Sequence, residues 1–161
     1  MGEGEEVKRI PTLSNWAGGP EAFQKLTRRF YEKVMEDDML GPVFKHMSPE
    51  HAKRVAHFIG EVLGGEKLYT QQSRGSHATM VEHHVGKHLD ETLRKRWMLL
   101  LLDTADEVGL PSDPEFRSAF IGYIEWGSRL AVINSNATEN PINETEPMPT
   151  WGWGETGGPY V

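Results

Sequence analysis

The sequence contains no cysteine. Disulfides, thiolate metal sites and cysteine nucleophiles are therefore excluded, and a reducing compartment is compatible. No apolar run approaches the ~20 residues needed to span a bilayer, so no membrane partner is expected. Surplus basic charge is missing too: 17 Lys and Arg against 24 Asp and Glu leave a formal net charge of -7. Polyanions reward the opposite sign, so no nucleic acid partner is expected. The opening MGEGEEVKRIP is acidic and lacks the apolar centre of a secretory signal. Together these features predict a cytoplasmic protein. Phosphate loops, nucleophile elbows, the zinc-protease helix motif and the Rossmann fingerprint are absent. So are internal repeats and alternating strand patterns, which leaves an all-α class.

What is present is helical periodicity cut by glycine and proline. At 161 residues the chain suits one domain with a real core. Residues 1–11 read as a flexible acidic arm, and a short helix is expected over residues 12–17, stopped by Gly18-Gly19. Pro20 suits a first turn, and Phe23, Leu26, Phe30 and Val34 then recur at helical spacing to Glu36, with Tyr31 on the border of that face. Asp37-Asp38 and Gly41-Pro42 read as a break, with Val43 and Phe44 in the connection. Ser48 as N-cap and Pro49 at N1 predict a helix to about Leu63, whose one face is His51, Val55, Phe58, Ile59 and Val62. Residues 66–76 read as loop and residues 78–84 as a short helix. Asp90 is expected to cap a helix reaching Val108, and a last helix is expected over residues 114–133. Beyond Asn134 proline and glycine accumulate around Trp151, Trp153 and Tyr160, so residues 135–161 read as an irregular extension to a domain of residues 12–134.

Chemistry concentrates in histidine. Four of the seven lie in GSHATMVEHHVGKHLDETLRKRW, residues 75–97. His84 stands four residues after Met80, which puts both on one side of a helix. Neutral imidazole is a good ligand for iron, zinc or copper. An axial ligand to haem iron would need an apolar wall and an open opposite side, which Tyr31, Phe44, His51, Val55, Phe58 and Trp97 can supply. Plainer readings stand beside this one. His84 and His88 at i, i+4 suit zinc in a haem-free bundle, although no thiol or carboxylate completes that site at fixed spacing. Trp97 on an apolar stripe is ordinarily core, Tyr31 a core-edge residue, and His51 an exposed residue near a helix start.

Several short stretches share one pattern. They are Gly18-Gly19 and Gly64-Gly65, TRRFYEKV at residues 27–34, PVF ending at Phe44, MVEHH ending at His84, the Arg96-Trp97 pair and EWGSRLA at residues 125–131. Trp97 follows His84 by thirteen residues. From Leu13 to Ser135 the chain resembles the truncated haemoglobins, and among them the second group. The resemblance implies a globin-like two-over-two helical sandwich with flexible terminal extensions, holding haem b (iron protoporphyrin IX). It implies His84 as the proximal ligand rather than His83, with Met80 beside it. Tyr31 and Trp97 match distal donors, and His51 a gate at the head of the distal helix. Phe44 matches an aromatic wedge against the haem, where some relatives carry Tyr. Val55 replaces a more usual Leu or Gln and loosens the pocket, Phe58 walls it, and Arg54 pairs with a propionate. The loop before Met80 is one residue longer than in some relatives.

The implied ligands are O2, NO, CO or peroxide. Donors aimed at a charged oxygen slow its escape, which suits O2-dependent chemistry such as nitric oxide dioxygenation or peroxide activation, with Tyr31, His51 and Trp97 in the catalytic set. An external reductase would then be required. The alternative is O2 storage, scavenging or sensing without turnover, by a monomer or homodimer.

Overall fold

The computed structural model describes residues 9–159; of the expected N-terminal arm, residues 1–8 lie outside them. Eight α-helices follow in order: α1 Leu13–Ala17, α2 Pro20–Glu36, α3 Gly41–Phe44, α4 His51–Val62, α5 Leu68–Gln71, α6 His77–Glu82, α7 Glu91–Glu107 and α8 Pro114–Ser135. A single 3-10 turn, Gly154–Thr156, comes near the end, and no strand occurs among the described residues. The long helices form a two-over-two sandwich, in which α2 packs on α4 and α7 on α8, with α2 also meeting α7.

Each long helix forms where its apolar stripe and its ends agree. Gly19 precedes Pro20 at the first position of α2, and Phe23, Leu26, Phe30, Tyr31 and Val34 are all buried along one face. Burying each of these large side chains is worth ~1.5–3 kcal/mol relative to exposure. Asp90 caps α7 by accepting from the Leu93 N–H at 2.8 Å, and Asp113 caps α8 through Phe116 N–H at 3.0 Å. Phe116 and Phe120 of α8 stack at 5.7 Å in the core between the layers.

Four local expectations are corrected. Gly41-Pro42 ends no helix, since α2 already stops at Glu36; it opens α3, with Pro42 in the first turn, where its missing N–H costs nothing. The Ser48 hydroxyl accepts from Glu50 N–H at 3.2 Å, a local turn that uses up the capping oxygen, so α4 begins at His51. Within the expected loop, the Glu61 carboxylate accepts both the N–H and the O–H of Thr70 at 3.0 Å and fixes α5. Ser76 caps α6 through Thr79 N–H at 3.0 Å, so α6 starts and stops earlier than expected and His84 lies in the turn beyond it.

The C-terminal extension is irregular in backbone but anchored. Trp151 N–H donates to Val62 C=O at 2.9 Å, and the Trp153 indole N–H donates to Pro11 C=O at 2.7 Å. Trp153 also meets Trp16 edge-on at 6.2 Å. No helix among the described residues is long and apolar enough to cross a membrane.

Candidate functional site

A cavity of about 450 Å³ opens between the layers, within the range of ~300–1,000 Å³ usual for small-molecule sites. Tyr31, Phe44, His51, Arg54, Val55, Phe58, Met80, His84 and Trp97 all line it. Six separate elements thus bring every candidate residue from the sequence to one place: α2, α3, α4, α6, the turn after α6, and α7.

One wall is aromatic. The α2 stripe buries Tyr31 to 5% exposure and stands it edge-on to His51 at 4.8 Å and to Phe44 at 5.7 Å. Phe30, the next residue of α2, meets Trp97 of α7 edge-on at 5.7 Å, so α2 orients both the phenol and the indole. The Tyr31 hydroxyl and His51 Nε2 lie 3.1 Å apart. Burial holds the Tyr31 phenol far above its ordinary range, so it keeps its proton. Burial first, and then the charges of His83, His84 and Arg54, push the His51 imidazole down to about 4. A protonated phenol beside a neutral imidazole forms one hydrogen bond, and either partner can donate it. Trp16 and Trp153 spend their indole N–H groups on Asp113 and Pro11, whereas that of Trp97 donates to no described residue.

His84 is differently placed. Its Nδ1–H donates to Met80 C=O at 2.9 Å, one turn back. That bond fixes the tautomer, leaving Nε2 with its lone pair. Burial lowers the tendency of this imidazole to protonate, against the smaller pull of the Met80 carbonyl. His83 is exposed where His84 is half-buried, because the turn after α6 rotates successive side chains apart.

The cavity carries its own charge pattern. Arg54, Lys87 and several imidazoles line it, and no carboxylate does among the described residues. Neither Arg54 nor Lys87 is ion-paired among the described residues. In a chain of net charge -7 this is a local reversal of charge, which favours acidic groups over basic ones. Arg94 also reaches the cavity, but it is committed to Glu91 and Glu125, the latter at 2.9 Å. The zinc reading finds no support: no three His, Asp or Glu among the described residues are placed to hold a metal ion.

Sequence reasoning passed over Lys87, Arg94, Trp126 and Pro149 as cavity residues. Lys87 had a signal, a cation just after the histidine run. Pro149 had none, since it arrives from the distant extension.

The cavity can take an apolar group with acidic ends, and His84 presents it with one imidazole nitrogen free to act as a ligand. Comparisons with known proteins give the family. The bacterial-like globin family profile matches residues 12–124. The group 2 truncated haemoglobin YjbI of Bacillus subtilis is 28% identical over 121 residues, covering 75% of this chain and 89% of that protein. The solved truncated oxygen-avid haemoglobin from Bacillus subtilis superposes with a TM-score of 0.66 at 27% identity, covering 76% of this chain and 99% of that one. The group II truncated haemoglobin from Bacillus anthracis superposes with a TM-score of 0.68 at 22% identity, covering 78% and 93%.

Proposed function

Since the chain belongs to the bacterial-like globin family of truncated haemoglobins, whose common property is haem-based gas binding, we propose that it holds haem b in this cavity through His84 and retains O2 for chemistry rather than for carriage. The observation that carries this reading is His84: one imidazole nitrogen tied to Met80 C=O, the other free, on an apolar cavity that also presents a phenol and an indole N–H. When bound, haem supplies an iron that binds diatomic gases and exchanges electrons with them.

The protein's own residues do the rest. His84 holds the group and sets its orientation through the Met80 carbonyl. Arg54 and Lys87 receive the acidic ends, and Met80, Val55 and Phe58 exclude water from its faces. Trp97 offers an unspent N–H to an electron-rich diatomic ligand, and the Tyr31–His51 pair offers one more donor. A hydrogen bond to a charged acceptor is worth ~1.5–3 kcal/mol, so two such donors slow ligand escape by roughly 10²–10⁴. A carrier must release its cargo, whereas a site that waits for a second reactant gains from slow release. Nitric oxide dioxygenation and peroxide activation both fit, with an external reductase returning electrons. The Tyr31–His51 pair can pass a proton, because a neutral imidazole accepts on one nitrogen while donating from the other.

Haem titration of the purified protein tests the reading. An intense Soret band at one equivalent is expected, and His84→Ala should abolish stable retention. Absence of that band in the wild type overturns haem binding. Rapid mixing of the oxygenated protein with nitric oxide then separates turnover from storage. Stoichiometric nitrate sustained by a cellular reductase is expected; slow single-turnover reaction with fast O2 release would favour storage or sensing.

A further inference from the structure

The segment that presents His84 is short and unsupported by its own secondary structure. α6 has six residues, and residues 83–89 after it carry no helix. His88 within that stretch adopts φ +50°, an unusual conformation for a residue with a side chain. An isolated helix of this length does not hold itself in water. Something else must fix the imidazole.

The chain from Ser135 to Asn140 makes contacts on both sides of it. Asn140 reaches α6 before the histidine: its Nδ2–H donates to Ala78 C=O at 2.8 Å. The other end of the same amide, Oδ1, accepts from Ile142 N–H at 2.9 Å, which fixes the side chain against its own backbone turn. After the histidine, His88 N–H donates to Ser135 C=O at 3.0 Å and Leu89 N–H donates to Ser135 Oγ at 2.9 Å. Asn136 Nδ2–H adds a bond to Leu89 C=O at 3.2 Å. Ser135 is fully buried, which shields its own side of these bonds from water, whereas the Asn136 bond is exposed. The strained His88 is thus held by its own N–H.

We propose that Ser135, Asn136 and Asn140 are positioning residues for His84, forming a clamp that grips residues 78–89 at both ends and sets the direction of the free Nε2. Asn140 belongs to the extension beyond the residues matched by the globin family profile, which end at 124. It therefore adds a support for the His84 imidazole from outside the stretch that the family profile matches. The proposal rests on the reading of His84 as the axial ligand for its functional meaning, but the clamp itself can be read without haem.

Two variants of the full chain test it. Asn140→Asp keeps the acceptor for Ile142 N–H and sets a carboxylate oxygen against Ala78 C=O in place of the donor, so the tail turn survives while repulsion opens the clamp. Ser135→Ala removes the acceptor for Leu89 N–H and serves if Asn140→Asp fails to fold. The first readout is amide hydrogen exchange of the haem-free protein. Exchange across residues 77–89 should accelerate while α2 and α7 keep wild-type protection. The second is haem transfer to an excess of an apo-globin acceptor, with the iron–histidine stretching band. Loss of a group that orients a metal ligand costs ~10–100-fold in affinity, so release should quicken about tenfold and the band should shift. Wild-type exchange at residues 77–89 together with wild-type haem release overturns the clamp. A wild-type protein that takes no haem overturns the reading of the cavity instead, and the exchange experiment still decides the clamp.

Discussion

Tyr31 and His51 stand twenty residues apart in sequence and 3.1 Å apart at the cavity, and sharing one hydrogen bond makes them a single donor toward a ligand rather than two. The Trp97 indole N–H, by contrast, donates to no described residue and lines the same cavity. Trp97→Phe keeps an aromatic ring beside Phe30 and removes the N–H together with part of the indole's volume. O2 dissociation, followed by stopped flow, should rise about 10–100-fold, the equivalent of one charge-assisted bond at ~1.5–3 kcal/mol. An unchanged rate would mean that the indole points away from the ligand. The His51 imidazole makes a second prediction. Its folded value lies near 4, below the ordinary 6.5, so it is neutral above that point and takes a proton only as pH falls toward 4. The O2 dissociation rate should therefore be flat between about pH 5.5 and 8. A step at pH 6–7 would show an imidazole that titrates normally.

Asp37 joins three elements through one carboxylate. It follows the last residue of α2, its Oδ2 accepts the N–H groups of Met39 and Leu40 ahead of α3, and its Oδ1 accepts from Arg96 of α7 at 2.8 Å. Arg96 first, then Leu40 N–H, hold this carboxyl below its usual range. A depressed folded value means that the stabilisation is complete above the ordinary carboxylate range and is lost as pH falls below it. Asp37→Ala should cost ~0.5–2 kcal/mol at pH 7, as the loss of a capping oxygen does. Urea melts of wild type and variant should converge as pH drops toward 3; a gap that persists there would mean that the charge is not what matters. Asp37-Asp38 was legible only as a helix breaker. The long helices were readable because α2 and α7, at seventeen residues each, repeat their stripes over several turns. α3 and α5 have four residues each and complete no stripe; Glu61 fixes α5 through Thr70, and α3 follows a turn held by Asp37. The cavity residues were legible through a likeness of motifs spread along the chain. The Tyr31–His51 bond was not, because it depends on how α2 meets α4, which no local pattern records.

Across the whole molecule, the extension ties together parts that the helical sandwich leaves separate. Trp151 packs on Tyr123 at 5.9 Å and on Trp126 at 5.7 Å, both from α8, while its backbone N–H holds the end of α4 at Val62. Gly122 of α8 lies beneath it: a Cβ there would sit 3.5 Å from the indole, an ordinary contact distance. Tyr123 and Trp126 in turn line the cavity, as does Pro149 of the extension itself, so the extension reaches the site both directly and through these two rings. Composition alone reads this stretch as irregular, since prolines and glycines disfavour regular structure; it is nonetheless anchored, with Trp153 against Trp16 and Trp151 against Tyr123 and Trp126 of α8. If the anchoring is energetic rather than incidental, Trp151→Ala must lower global stability. A fully buried Trp→Ala change costs ~3–5 kcal/mol, and Trp151 is half-buried, so a loss of about 1–3 kcal/mol is expected. The urea midpoint measures it, with the slope of the transition as the control. A lower midpoint at constant slope means that the tail is part of the cooperative unit. A wild-type midpoint, or a separate early transition, means that the extension unfolds on its own and contributes nothing to the sandwich beneath it.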